Sequence, residues 1–139
     1  MAAAALKVFG LNCGLKSSKD KKSSSTDALM KQLFDALAKQ GATSRIVRVA
    51  DYNIKPGVTS DEGKGGDLPG LLKRVLDADI LVIGAPIWLG QPSSIAKRVM
   101  ERMDAFFDEK DERGRMPSLR QNRDCGGCRQ RGRRAPHRR

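Results

Sequence analysis

The chain is 139 residues long, the size of one domain, and its 27 Lys and Arg outnumber 16 Asp and Glu, for a formal net charge of +11. Eight Arg and one Asp fall in residues 120–139, which leaves residues 1–119 a mildly basic body of +4. That split removes most of the nucleic-acid reading a uniformly basic domain would invite. No apolar run approaches the roughly 20 residues of a membrane span, and the opening Met-Ala-Ala-Ala-Ala lacks the basic start and long apolar core of an export signal. Three Cys do not make a disulfide scaffold, so a reduced, cytoplasmic setting is expected.

Leu6, Val8, Phe9 and Leu11 predict a first strand, followed by a polar loop from Asn12 to Ser25. A helix is expected over Thr26–Gln40. Leu29, Leu33 and Leu37, with Met30 and Phe34, recur at three- and four-residue spacing as one apolar stripe. Ser25 or Thr26 caps its start and Gly41 supplies a left-handed stop. Ile46, Val47 and Val49 predict a second strand, ending at Asp51-Tyr52, and a loop with four glycines runs from Asn53 to Asp67. A short helix over Leu68–Leu76 leads to a third strand from Asp79. There Ile80 to Ile83 are apolar without alternation, as in a parallel strand buried on both faces. Gly84-Ala85-Pro86 closes it, and a loop Ile87-Trp88-Leu89-Gly90 precedes a helix over Ser94–Phe107. The order β-α-β-α-β-α predicts a parallel α/β sheet. After a charged loop from Asp108 to Arg115, Met116-Pro117-Ser118 is placed to enter another strand. Residues 120–139, which hold no Val, Ile, Leu, Met or aromatic residue, are expected to be disordered instead.

Two loops are placed where an open α/β sheet binds ligands, beyond the carboxyl ends of its strands. The loop after the third strand carries the chain's one Trp, Trp88, which either lines a ligand or packs as core. The loop after the first strand leads into a helix amino end, a natural anion site. Gly10 and Gly14 are spaced four apart, which excludes the dinucleotide fingerprint. The triphosphate loop fails too, because Leu15 separates Gly14 from Lys16. Ser23, Ser24, Ser25 and Thr26 fit a phosphate site built from hydroxyls and backbone N–H groups, and equally fit simple capping in a solvated loop.

From Leu6 to Pro117 the chain resembles the flavodoxin-like NAD(P)H-dependent FMN reductases and quinone reductases. The resemblance lies in the loop ending SSSTDALM, the segment DILVIGAPIWLGQPSS and the helix AKRVMERMDAFF. It implies an α/β, three-layer α/β/α fold with a parallel sheet in the family order 2-1-3-4-5, of which this sequence supplies strands 1–3. It implies FMN bound non-covalently at the carboxyl end of the sheet, with NAD(P)H as reductant and a small flavin or quinone as electron acceptor. Homo-oligomers are expected of intact relatives. By position, Asn12, Ser17, Ser24, Ser25 and Thr26 would surround the phosphate, and Pro86, Ile87, Trp88, Leu89 and Gly90 would line the isoalloxazine ring. The flavin carries the hydride chemistry in such enzymes, so no protein acid–base pair is expected.

The resemblance stops near Leu119, which divides the chain into a partial FMN-binding domain over 1–119 and a tail over 120–139. Read one nucleotide out of frame, with permissible codons, the tail becomes GKIAIAVVVGNEDGAHHIV, a buried strand and a polar loop. The expectation is therefore a frameshifted, truncated and poorly active chain. Cys125-Gly-Gly-Cys128 has metal or redox spacing, but a zinc site needs four ligands and only His137 and distant Cys13 remain to join it. The Arg cluster has no aromatic residue for base stacking, so no specific nucleic-acid partner is expected. Two other classes compete: a non-enzymatic FMN electron carrier, disfavoured by the basic body, and a basic nucleic-acid-binding product acting through the tail.

Overall fold

The computed structural model describes residues 5–20, 23–110, 112, 114 and 116. Its central strand is β1 (Lys7–Asn12), in which all but Lys7 are buried. β1 pairs in parallel with β2 (Thr43–Arg48) on one side and with β3 (Ile80–Gly84) on the other, giving the order β2-β1-β3. The register sets Val8 beside Ser44 and Ile80, and Leu11 beside Val47 and Ile83. The flavodoxin-like α/β arrangement expected from the sequence is present, its three parallel strands covered by helices on both faces.

Side chains alternate across β1 and so serve two cores. Val8 packs with Met30 and Phe34 of α1 (Ser25–Lys39). Phe9 and Leu11 pack on the other face with Leu71, Leu72 and Val75 of α2 (Leu68–Asp77) and Val99 of α3 (Ser94–Met103). Two glycines let α1 lie close to the sheet. A Cβ on Gly10 would come within 2.6 Å of the Phe34 ring, and one on Gly84 would strike Met30 and Thr26.

Several local readings differ from the structure: α1 is capped by Ser24 rather than Ser25 or Thr26, and Val49, expected in the second strand, begins a single 3-10 turn over Val49–Asp51. The helix expected over 94–107 breaks at Asp104, and a short α4 (Ala105–Asp108) turns Ala105 and Phe106 into the core. The apolar stripe of α1 is wider than the sheet beneath it: Met30 and Phe34 are buried, whereas Leu29 and Leu33 are 68% and 43% exposed. The loop after β3 is not plain coil but a hairpin, β4 (Ile87–Trp88) paired antiparallel with β5 (Gln91–Pro92). Its two-residue turn, Leu89-Gly90, has φ of 50° and 75°, the double positive φ of a type I′ turn.

The loop between β2 and α2 is organised from inside. Arg102, 1% exposed, donates through Nε to the Thr59 carbonyl (2.8 Å) and through Nη1 to the Lys55 carbonyl (2.7 Å). The expectations for residues 117–139, including Cys125, Cys128 and His137, fall outside the described residues.

Candidate functional site

The site forms where the chain leaves β1 and β3 at their carboxyl ends. Asn12, 2% exposed, ends β1 and shapes the loop that follows. Its Oδ1 accepts from the Gly14 N–H (2.9 Å) and its Nδ2 donates to Asp27 Oδ1 (3.4 Å). The Cys13 N–H donates to the Gly84 carbonyl (2.7 Å), which joins the two loops at their roots. Ser93 completes the frame from the far side of the hairpin. Its hydroxyl donates to the Cys13 carbonyl (2.6 Å) and accepts from the Ala96 N–H (3.1 Å), capping α3 and tying it to the loop after β1.

Ser24 caps α1 by accepting from the Asp27 N–H (3.3 Å). Around that helix start lies a cavity of about 250 Å³ lined by Gly14, Leu15, Lys16, Ser24, Ser25, Thr26, Pro86 and Trp88. The helix dipole and free N–H groups favour an anion there. Asp27, in the first turn, would oppose one, but Lys31 Nζ (3.1 Å) and Arg48 Nη2 (3.3 Å) pair with its carboxylate. Partial burial penalises the Asp27 charge, and the two cations outweigh that penalty and hold its pKa below the ordinary value. Lys16 Nζ donates to the Ser23 carbonyl (2.7 Å), which keeps its charge at the cavity rim.

Of the ten residues singled out by sequence, Ser24, Ser25, Thr26, Pro86 and Trp88 share this cavity. Asn12 lies behind it as a support. Ser17 turns away: its N–H donates to Asp20 Oδ2 (3.0 Å) and its carbonyl accepts from Arg48 Nη1 (3.0 Å). Ile87, Leu89 and Gly90 are on the hairpin outside the cavity, with Ile87 75% exposed and Leu89 fully exposed. Alternation along a strand sends Ile87 opposite to Trp88. Sequence reasoning missed Gly14, Leu15 and Lys16 as lining residues and Ser93 as the tie. Lys16 was within reach, as the first cation after Gly14, two positions on. The Ser93–Cys13 bond spans 80 residues and has no local signal beyond the cap.

Comparison with known proteins places this geometry in a family. The family model described as NADPH-dependent FMN reductase matches residues 6–118. The chain belongs to the NADPH-dependent FMN reductase family. The 8-demethyl-8-aminoriboflavin-5′-phosphate synthase of Streptomyces davaonensis is 31% identical over 114 residues, covering 76% of this chain and 43% of that protein. The solved structure of RosB with bound 8-demethyl-8-formylriboflavin-5′-phosphate superposes with a TM-score of 0.70 at 29% identity, over 82% of this chain and 48% of that one. A divalent metal cation transporter of Mycobacterium bovis is 35% identical over 127 residues, which cover 88% of this chain but 18% of the transporter. The chain thus spans less than half the length of each of these relatives. Among the described residues no helix is long and apolar enough to cross a membrane.

Proposed function

We propose that the body of this chain, residues 1–119, binds FMN and serves NAD(P)H-dependent reduction of a small flavin or quinone, with residues 120–139 an out-of-frame tail. The observation that supports this reading is the single cavity in which the α1 amino end meets Pro86 and Trp88. Its chemistry fits the two ends of a flavin mononucleotide. Ser24, Ser25, Thr26 and Lys16 offer hydroxyls, N–H groups and a cation to a phosphate, and Trp88 and Pro86 offer an apolar wall to a flat ring. Gly14 keeps the cradle open, since a Cβ there would lie 3.1 Å from Asn12 Oδ1 and 3.7 Å from Ser24 Oγ. At about 250 Å³ the cavity is smaller than the roughly 300–1,000 Å³ of a complete small-molecule pocket.

When bound, FMN supplies the redox chemistry, accepting hydride from NAD(P)H and passing electrons to the acceptor. The α1 amino end with Lys16 would hold the phosphate, and Trp88 and Pro86 would offer an apolar wall to the ring. The reading keeps a cytoplasmic setting, consistent with a buried, free Cys13. Titrating FMN into the purified chain and following flavin fluorescence tests it. Quenching is expected, and Trp88→Ala, at a residue 50% exposed, should weaken binding by about tenfold or more while barely moving the melting temperature of the apo-protein. No quenching in either this chain or a frame-restored one ends the proposal. Sequencing the DNA across codons 118–120 tests the tail separately.

A further inference from the structure

A second cavity, of about 210 Å³, lies beside the first. Its walls include Leu15 of the loop after β1, Val49, Tyr52 and Ile54 beyond β2, and Ile95 and Arg98 of α3. Leu15 lines both cavities, so the two meet across one side chain. Val49 and Ile54 are buried and Tyr52 and Ile95 half-buried, which makes the walls apolar with one aromatic ring. Ile95 and Arg98, three positions apart, share a face of α3. Arg98 is the charged group of the cavity, and no Asp or Glu is among the described residues that line it. Its Nη1 donates to the Ile54 carbonyl (3.4 Å), a long bond that aims the guanidinium and leaves most of its N–H groups unused. Neighbouring cations are already engaged. Arg48 pairs with Asp27, and Arg102 donates to the Lys55 and Thr59 carbonyls. No carboxylate among the described residues pairs with Arg98. The volume is below the roughly 300–1,000 Å³ of a complete small-molecule pocket, so it suits one end of a longer ligand.

We propose, resting on the flavin reading above, that this cavity takes the adenosine end of the reductant, with Arg98 on its 2′-phosphate, and so selects NADPH over NADH. The chemistry of that end matches the two kinds of wall. A purine is a flat ring system, suited to the apolar surface of Leu15 and Ile95 and the ring of Tyr52. A 2′-phosphate presents several charged acceptor oxygens, and a guanidinium with free N–H groups meets them with paired, charge-assisted hydrogen bonds. NADH carries a neutral hydroxyl there, and an acidic residue is the usual partner of that hydroxyl. The cavity supplies the guanidinium and not the acid. Its position next to the cradle lets one extended dinucleotide reach both, with Leu15 between them.

Calorimetric titration of the full chain with adenosine 2′,5′-bisphosphate, with and without FMN, tests the proposal. Binding is expected in both cases, about tenfold or more tighter than that of adenosine 5′-monophosphate. Arg98→Gln, at an exposed residue outside the flavin cradle, should erase that preference and leave the quenching of FMN unchanged. Lys16→Gln should do the reverse, weakening FMN and sparing the bisphosphate. No binding, equal affinity for the two nucleotides, or a preference that survives Arg98→Gln overturns the proposal. So does displacement of FMN by the bisphosphate, or its loss in Lys16→Gln, since either puts the probe in the cradle. Failure of the flavin reading shows separately, as FMN that is not quenched in the absence of any bisphosphate.

Discussion

Replacing Ser93 by Ala removes one hydroxyl that serves two elements at once, and its cost follows from the structure. The hydroxyl is an N-cap acceptor for Ala96, and loss of such a cap costs about 1 kcal/mol. It is also the donor to the Cys13 carbonyl, in a residue with 0% exposure. A buried carbonyl stripped of its donor costs about 1–3 kcal/mol, because no water replaces the bond. The two effects together predict a loss of about 2–4 kcal/mol, a large part of the stability of a small domain. Ser24→Ala is the internal control. It removes a cap of the same type, but Ser24 is only half-buried and its hydroxyl donates to no buried carbonyl, so about 1 kcal/mol is expected. Urea unfolding of both variants without FMN, compared at equal m-value, measures the difference. If Ser93→Ala costs no more than Ser24→Ala, the Ser93–Cys13 bond does not hold the two ligand loops together and the account of the site's frame is wrong.

Leu89 sits at φ 50° in the hairpin turn with no burial to offset it, so Leu89→Asn should raise apo-protein stability by up to about 1 kcal/mol in the same unfolding assay. A concurrent loss of FMN affinity would mean that the strained leucine is kept for the ligand. Asp27 has its folded-state pKa depressed, so its ion pairs add stability above the ordinary value of 3.8 that is lost as pH falls through the lower, folded value. Acid titration of stability should be shallower in Asp27→Asn than in the wild type below pH 3.8. Burial raises the Cys13 thiol to about 11, so it stays protonated at neutral pH. Iodoacetamide should label Cys13 only in denaturant, as read by peptide mass spectrometry.

The order of elements was readable because each carries its own local signal. The α1 stripe, a serine cap at its start and the strand-ending Gly84-Ala85-Pro86 are patterns within a few residues of one another, although the cap is Ser24 and not Ser25 or Thr26 as expected. Part of the candidate cavity's lining was readable for the same reason: Ser24, Ser25 and Thr26 announce a helix start, and Trp88 comes just beyond a strand. What sequence missed depends on distance or on side-chain direction. Ser17 lies near the serine run in sequence, but Asp20 and Arg48 draw its backbone to the β2 side. Ile87 and Trp88 are adjacent, yet a two-residue strand points them to opposite sides. A loop reading treats both as one wall, whereas a hairpin presents only Trp88 to the cavity.

The third strand shows why a correct pattern can still misplace a residue's surroundings. An unbroken run from Ile80 to Ile83 records a position meant to be buried on both faces, and that reading of the type of strand holds: β3 is parallel and apolar. Hydrophobic pattern encodes the environment a strand requires; it does not encode which neighbour supplies it. β1 has neighbours on both sides and is buried from Val8 to Asn12, whereas β3, no less apolar, has one neighbour among the described residues and is less fully buried. On α1, likewise, Leu29 and Leu33 are exposed while Met30 and Phe34, one position further round the helix, pack with Val8. The loops after β1 and β3 are held by bonds between β1, β3 and α3, so the cavity at the α1 amino end is shaped by contacts far apart in sequence, which no local pattern announces.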